Sequence, residues 1–345
     1  MRKVFVSIYE CQPGMQTAET IYNEYGAVIV AENTILDPHL INKLKKLDIV
    51  RIKIYDKSPE IISASNTELF NAQYVENAQT IKELLHDISN GGKLEITKVN
   101  TLSDSVYSRL NENRDIMGCI NRIRGVDEYT YTHSLNVSML SMLIAKWMKY
   151  DRSRIRDIVQ AGLLHDVGKS MIPVEILNKP GALDPDEFEE IKKHPVYGYR
   201  ILERSSRINQ DIMKAVLLHH EREDGSGYPM GVRGPQIHEY AKIIAVADIY
   251  DAMTSNRAYR AKESPFDAFE LMENNTFGVL DPVVVNTFLQ NVASYYIGDQ
   301  VRLNTGDTGE IIYINPRHIA QPIVRVNDTF IDLSIETYVK ITGLL

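Results

Sequence analysis

The sequence is short of the features that mark several large protein classes. It has 2 cysteines, Cys11 and Cys119. That is too few for a disulfide framework or a zinc–thiolate knuckle, so a reducing compartment is expected. It lacks a basic excess, with Lys+Arg 38 against Asp+Glu 46 and a formal net charge of -8. Long nucleic acid rewards a basic surface, so no nucleic acid polymer is expected as a partner. A small nucleotide needs only a few local cations and stays open. Long apolar runs are also missing. The start, MRKVFVSIYECQPG, has no signal-peptide core. The longest candidate, Val137 to Met148, contains Lys146 and falls below the roughly 20 residues of a membrane span. A cytoplasmic protein with no membrane span is expected. In that setting the triplets Asn136-Val137-Ser138 and Asn327-Asp328-Thr329, which match the glycosylation pattern, carry no meaning.

What is present reads as ordinary globular protein, with 44% hydrophobic and 24% charged residues over 345 positions. Val4, Val6 and Ile8 alternate, and Ile49 to Tyr55 alternates again, as strands do. Between them Asp37-Pro38 marks a helix start, with Leu40, Ile41, Leu44 and Leu47 on one face. A small α+β domain is expected over 1–58. Residues 59–125 read as a helical linker: one helix carries Leu69, Ala72, Leu84 and Leu85, and another carries Leu102, Val106, Leu110 and Ile116. The segment 126–292 reads as helix after helix, with cap-plus-proline starts at Asp184-Pro185, Ser264-Pro265 and Asp281-Pro282. Over 296–345 the period changes to two, at Val301/Leu303, Ile312/Ile314, Ile323/Val324/Val326 and Val339/Ile341, as in a small β-barrel. The expected fold class is mainly α: a central all-helical bundle flanked by a small N-terminal α+β domain and a small C-terminal β-barrel.

Five of the 9 histidines lie in the helical segment in particular surroundings. His133 shares a helix face with Val137, Leu140 and Ile144, where a histidine is more often a bonded core residue than a ligand. His165-Asp166 ends an apolar helix, and burying such a pair without a partner is costly. His194 sits in KKHPVYG, and His219-His220 in VLLHHEREDGSGYP. Asp248 and Asp251 lie on the apolar run KIIAVADIYDAMT, again an expensive place for a carboxylate unless it is coordinated. These are more ligands than one divalent ion can take while leaving a position open for catalysis. Two ions sharing a carboxylate can use them, and a pair roughly 3.5–4 Å apart can activate a bridging hydroxide and clamp phosphate oxygens. Imidazole and carboxylate without thiolate suit Fe or Mn, and Zn, Ni or Co also fit.

His133, His165-Asp166 and Asp248 resemble the H…HD…D signature of the HD phosphohydrolase superfamily. His165-Asp166-Val167-Gly168-Lys169, followed by the HHExxDGxGYP run from His219 to Pro229, resembles its HD-GYP subfamily over about 127–291. The resemblance implies a metal-dependent phosphodiesterase that cuts cyclic di-GMP to linear pGpG, and in some members on to GMP. It implies that His133, His165 and Asp248 hold one ion, that His194, His219 and His220 hold the other, and that Asp166 bridges. Lys169 would steady the nucleophile or the phosphate. Arg257 and Arg260 would contact substrate phosphates, as a planar guanidinium does well. Gly225, Tyr228 and Pro229 form the GYP loop, with Tyr228 a substrate-binding candidate and the loop a surface for a signalling partner. A homodimer is compatible with this reading.

One position departs from part of the family. Some members carry, four residues before the first histidine, a glutamate that helps hold a third metal. Here that residue is Tyr129, and Glu128 is turned about 100° away on a helix. Two ions and a pGpG product are therefore expected. The alternatives are an HD hydrolase of another nucleotide second messenger, and a catalytically silent, metal-holding signalling adaptor.

Overall fold

The computed structural model describes residues 2–8, 11–23, 27–47, 49, 51–56, 61–112, 129–205, 208–255, 264–275, 278–327 and 329–345. The chain divides into two compact units, one of residues 1–66 with 289–345 and the other of residues 67–288. Among the described residues no helix is long and apolar enough to cross a membrane.

In the first unit, β1 (Arg2–Ser7) pairs antiparallel with β4 (Arg51–Asp56), and Val6 stands opposite Ile52. A second antiparallel pair joins β2 (Ile21–Tyr22) to β3 (Val28–Val30). Helix α1 (Pro38–Lys46) starts where the cap-plus-proline signal places it, with an Asp37 oxygen accepting from the Leu40 amide at 2.7 Å. Its Ile41 and Leu44 pack with Val6, Ile8 and Ile52 in one apolar cluster. The C-terminal strands β5 (Gln300–Leu303), β6 (Thr308–Asn315), β7 (His318–Val326), β8 (Thr329–Asp332) and β9 (Ile341–Leu344) form one antiparallel five-stranded sheet in the order β8-β7-β6-β5-β9. The period-two reading slips within β6. The buried residues are Ile311 and Ile314 rather than Ile312 and Ile314, because the register against β7 shifts between Ile311 and Tyr313.

The second unit is helical. Its upstream part is α2 (Ile61–Ser89) and α3 (Ile96–Glu112). Gly91 follows α2 at φ +82, a conformation that stops a helix cheaply only with glycine. Leu84, Leu102 and Val106 are buried, and Ile116 lies outside the described residues. Then come α4 (Tyr129–Trp147), α5 (Arg152–Leu164), α6 (Val174–Leu177), α7 (Pro185–Ile191), α8 (His194–Glu203), α9 (Gln210–Leu218), α10 (Glu239–Thr254), α11 (Pro265–Asn275) and α12 (Pro282–Val292). The proline starts behave as read. Asp184 forms a capping box with Glu187, Ser264 accepts from the Phe266 amide at 3.2 Å, and Asp281 accepts from the Val283 and Val284 amides at 2.9 and 3.1 Å.

Helix α4 is more central than a single apolar face suggests. Every residue from Thr132 to Ala145 is buried. Small residues make this workable: a Cβ on Gly162 of α5 would lie 2.7 Å from the Ser138 Cα, so the two helices approach at backbone distance. Tyr129 is the first residue of α4, one turn ahead of His133, while Glu128 lies outside the described residues.

A short 3-10 turn, Val167–Met171, follows α5 and packs on α8. A Cβ on Gly168 would overlap the His194 carbonyl oxygen and the Gly198 amide nitrogen. This contact seats the end of α5 against the start of α8. Gly168→Ala should therefore cost about 1–3 kcal/mol, as overpacked sites do, and lower the denaturant midpoint measured by circular dichroism. An unchanged midpoint would mean the two backbones part freely.

Candidate metal centre

Three histidines of the centre stand at helix ends, while His133 and Asp248 lie inside α4 and α10. His165 is the C-cap of α5 and His219 the C-cap of α9, while His194 opens α8 directly after α7. Each of these rings makes the same backbone contact. His165 Nδ1 lies 2.8 Å from the Gly162 carbonyl, His194 Nδ1 2.7 Å from Ile191, and His219 Nδ1 2.7 Å from Val216. A carbonyl only accepts, so each Nδ1 carries the hydrogen. Each Nε2 lone pair is left to face inward.

The inward atoms form two adjoining groups. One contains His133, His165 and Asp248. The other contains Asp166, His194, His219 and His220. Within each group the ligand atoms all lie within 4.8 Å of one another. Asp166 stands between them. Its Oδ2 is 3.4 Å from His165 Nε2 and 3.8 Å from His133 Nε2, and its Oδ1 is 3.3 Å from His194 Nε2. Lys169 donates to Oδ2 at 2.6 Å. His133 Nε2 lies 3.1 Å from Asp248 Oδ1, and His194 Nε2 lies 3.3 Å from His219 Nε2. The fold therefore brings together all seven residues read from the sequence as ligands. Tyr228 joins them from its loop, with its ring stacked on His220 at 4.6 Å. Arg257 and Arg260 lie outside the described residues.

The electrostatics suit cations. Burial pushes His194 down to about 4 and His220 to about 3, and holds His219 well below the usual imidazole value, so these rings are neutral and able to ligate at pH 7. Burial opposes ionisation of Asp166, but Lys169 and the His165 imidazole outweigh it and keep the carboxyl well below its usual range. Asp248 is likewise held low against its burial by His133. Burial lowers His133 too, yet Asp248 and Asp251 raise it to about 9. In the ion-free protein a proton thus sits between His133 and Asp248, where a cation would replace it. The donor set fits a first-row divalent ion. The buried His165 Nε2 and Asp166 Oδ1 have no hydrogen-bond partner, a costly state that coordination relieves.

Several residues escaped sequence reasoning. Asp251 stood out only as an expensive carboxylate. It is fully buried and lies behind His133: its Oδ2 is 2.8 Å from His133 Nδ1, and its Oδ1 accepts from Asn136 Nδ2 and Ser255 Oγ, each at 3.0 Å. In the sequence Asn136 shows only a glycosylation pattern and a spacing of three after His133. Glu221, buried beside His220, accepts from the amides of Met230, Gly231 and Val232 at 2.7, 3.1 and 3.1 Å. It ties the GYP loop back on itself.

A model of the HD domain matches residues 106–284. The chain belongs to the HD domain family. Within it, the HD pair and the HHExxDGxGYP run are those of the HD-GYP branch. It is 33% identical to a cyclic di-GMP phosphodiesterase of Pseudomonas aeruginosa over 71% of this chain and 59% of that protein. It is 41% identical to a cyclic di-GMP phosphodiesterase of Thermotoga maritima over 51% of this chain and 48% of that one. The HD chain thus spans about half the length of these curated relatives. Among solved structures, an HDG"Y"P protein from Bdellovibrio bacteriovorus superposes with a TM-score of 0.55 at 15% identity, covering 83% of this chain and 98% of that one. That likeness concerns the fold.

Two expectations follow for the HD centre. Asp166→Ala should abolish metal uptake while the far-ultraviolet circular dichroism stays, because Leu163 and Leu164 are buried and hold α5; full metal occupancy would rule out a bridging carboxylate. Asp251→Asn should weaken metal binding at the His133 group about 10- to 100-fold, the usual cost of losing an outer-shell partner, as read by chelator competition.

Proposed function

We propose that this chain is a metal-dependent cyclic-dinucleotide phosphodiesterase, hydrolysing cyclic di-GMP to linear pGpG at a two-ion centre. The observation that carries the reading is Asp166, with one oxygen turned toward each of two histidine-rich groups. His133, His165 and Asp248 are the ligands of one ion, and His194, His219 and His220 those of the other. Fe or Mn suits this imidazole–carboxylate set, with Zn, Ni and Co as alternatives. Bound ions supply Lewis acids that acidify water and neutralise phosphate oxygens.

The residues of the chain do the rest. Asp166 holds the two groups in register. Lys169, 2.6 Å from Asp166, keeps that carboxylate ionised and offers a cation to the reacting phosphate. Arg257 and Arg260 hold the outer phosphate oxygens in bidentate fashion. Tyr228, stacked on His220, borders the place for the nucleotide. The GYP loop, with Met230 63% exposed, is the surface for a protein partner. Tyr129, rather than a carboxylate, one turn before His133 supports two ions over three, and hence pGpG as the main product. The catalytic domain is assigned to 126–292, with 1–58 and a closed C-terminal barrel over 296–345 as accessory parts.

The names of the relatives support cyclic di-GMP as the substrate. A second reading is a hybrid cyclic dinucleotide, since a 3'3'-cGAMP-specific phosphodiesterase of Vibrio cholerae is 39% identical over 155 residues. Anaerobically purified, metal-loaded protein should be offered both, with products separated by chromatography. Conversion of cyclic di-GMP to pGpG is expected. Turnover of 3'3'-cGAMP alone would favour the second reading, and turnover of neither would leave an adaptor.

The arginines give a separate test. A charged hydrogen bond is worth roughly 1.5–3 kcal/mol, so Arg257→Ala and Arg260→Ala should each lower kcat/KM at least about tenfold while metal content stays at the wild-type level. Wild-type kinetics in the double variant would show a solvated basic segment.

A further inference from the structure

Tyr74 lies on α2, ahead of the segment that matches the HD domain, which begins at residue 106. It nevertheless connects to a ligand of the metal centre through two buried residues. Tyr74 and Asn136 are each 3% exposed, and Asp251 is 0% exposed. The Tyr74 hydroxyl is 2.8 Å from Asn136 Oδ1. Asn136 Nδ2 donates to Asp251 Oδ1 at 3.0 Å, and Asp251 Oδ2 lies 2.8 Å from His133 Nδ1.

The direction of this chain is set by what each group is able to do. A carboxylate only accepts, so Asn136 must turn its amide nitrogen toward Asp251. That leaves Asn136 Oδ1 facing α2, where it needs a donor, and the Tyr74 hydroxyl supplies one. Without that donor the two orientations of the amide are less distinct. A flipped amide would press its oxygen against Asp251 and leave a buried NH2 without an acceptor, which is costly. Asp251 in turn takes the His133 Nδ1 hydrogen, which leaves Nε2, on the side of Asp248 and Asp166, as the ring atom that can bind an ion once its proton is displaced.

We infer that Tyr74 is a positioning residue for the metal centre. Its hydroxyl fixes the Asn136 amide, the amide fixes Asp251, and Asp251 fixes the tautomer and ring plane of His133. Outer-shell partners of ligating histidines act in this way; here the outermost one comes from a helix upstream of the family segment. The inference rests on the two-ion reading above.

The test uses the full chain, stripped of metal and titrated with Mn2+ against a chelator, with His133→Ala and His194→Ala assigning each dissociation constant to its group. Tyr74→Phe removes only the hydroxyl. It should weaken the ion assigned by His133→Ala about threefold to tenfold, less than the ~10- to 100-fold of a direct outer-shell loss. The ion assigned by His194→Ala should keep its affinity. Asn136→Leu, similar in volume but unable to bond, should weaken the same ion further, and it decides the matter if Tyr74→Phe does not fold. Unchanged affinity for both ions in these variants overturns the inference. So does equal weakening of both ions together with a lower melting temperature of the ion-free protein, which is the signature of a merely structural role. A wild-type protein that takes up fewer than two ions overturns the two-ion reading itself, and that result is seen before any variant is measured.

Discussion

Asp166 is 7% exposed at the end of an apolar helix, and a buried carboxylate costs several kcal/mol unless opposite charge or hydrogen bonds surround it. Much of the helical unit can be understood as meeting that demand. Lys169 reaches back from the next turn. Imidazoles arrive from α4, α5, α8 and the end of α9. The glycine at 168 lets the turn carrying Lys169 approach α8 closely enough to bring His194 to the carboxylate. Removing any one supporter leaves charge or polarity buried without compensation, so the cluster is tightly interdependent.

The histidines also serve the helices that carry them. The last carbonyls of a helix have no partner within it. His165 and His219 stand at C-caps and return their Nδ1–H to the carbonyl three residues earlier, and His194 does the same to the end of α7. A helix end is thus satisfied and an imidazole tautomer fixed by one bond. His133 sits inside α4, where the carbonyls are already used, and takes a carboxylate instead. That difference explains why His133 has a buried network behind it while His165, His194 and His219 are held by the backbone.

Around this centre two further carboxylates each gather several hydrogen bonds. Asp251 accepts three hydrogen bonds, and Glu221 accepts three backbone amides that close the loop bearing Tyr228. Both carboxylates are spent on orientation. A metal site held within small tolerances depends on such second layers, and they are drawn from different parts of the chain: α2, α4, α10 and the GYP loop.

Much of this was legible in the sequence because it is local. The His165-Asp166 pair, the His219-to-Pro229 run and the cap-plus-proline starts each span a few residues, and a buried His or Asp on an apolar run announces its own cost. The strands of the first unit were legible by alternation, until a register shift in β6 moved burial from Ile312 to Ile311. What the tertiary structure decided is long-range. Asn136 and Asp251 are 115 residues apart, and Tyr74 and Asn136 are 62 apart. Neither a lone tyrosine on a helix nor an asparagine in a glycosylation-like triplet signals a bond to a distant side chain. By periodicity helix α4 is one-faced because periodicity reports the apolar residues, whereas its serines are buried too, Ser138 against Gly162 of α5. The sequence by itself thus determined which residues must be paired, since burial of charge is read from neighbours in the chain. Only the packed helices decided which partner each one found, because hydrogen-bond geometry depends on backbone positions that composition and spacing do not contain.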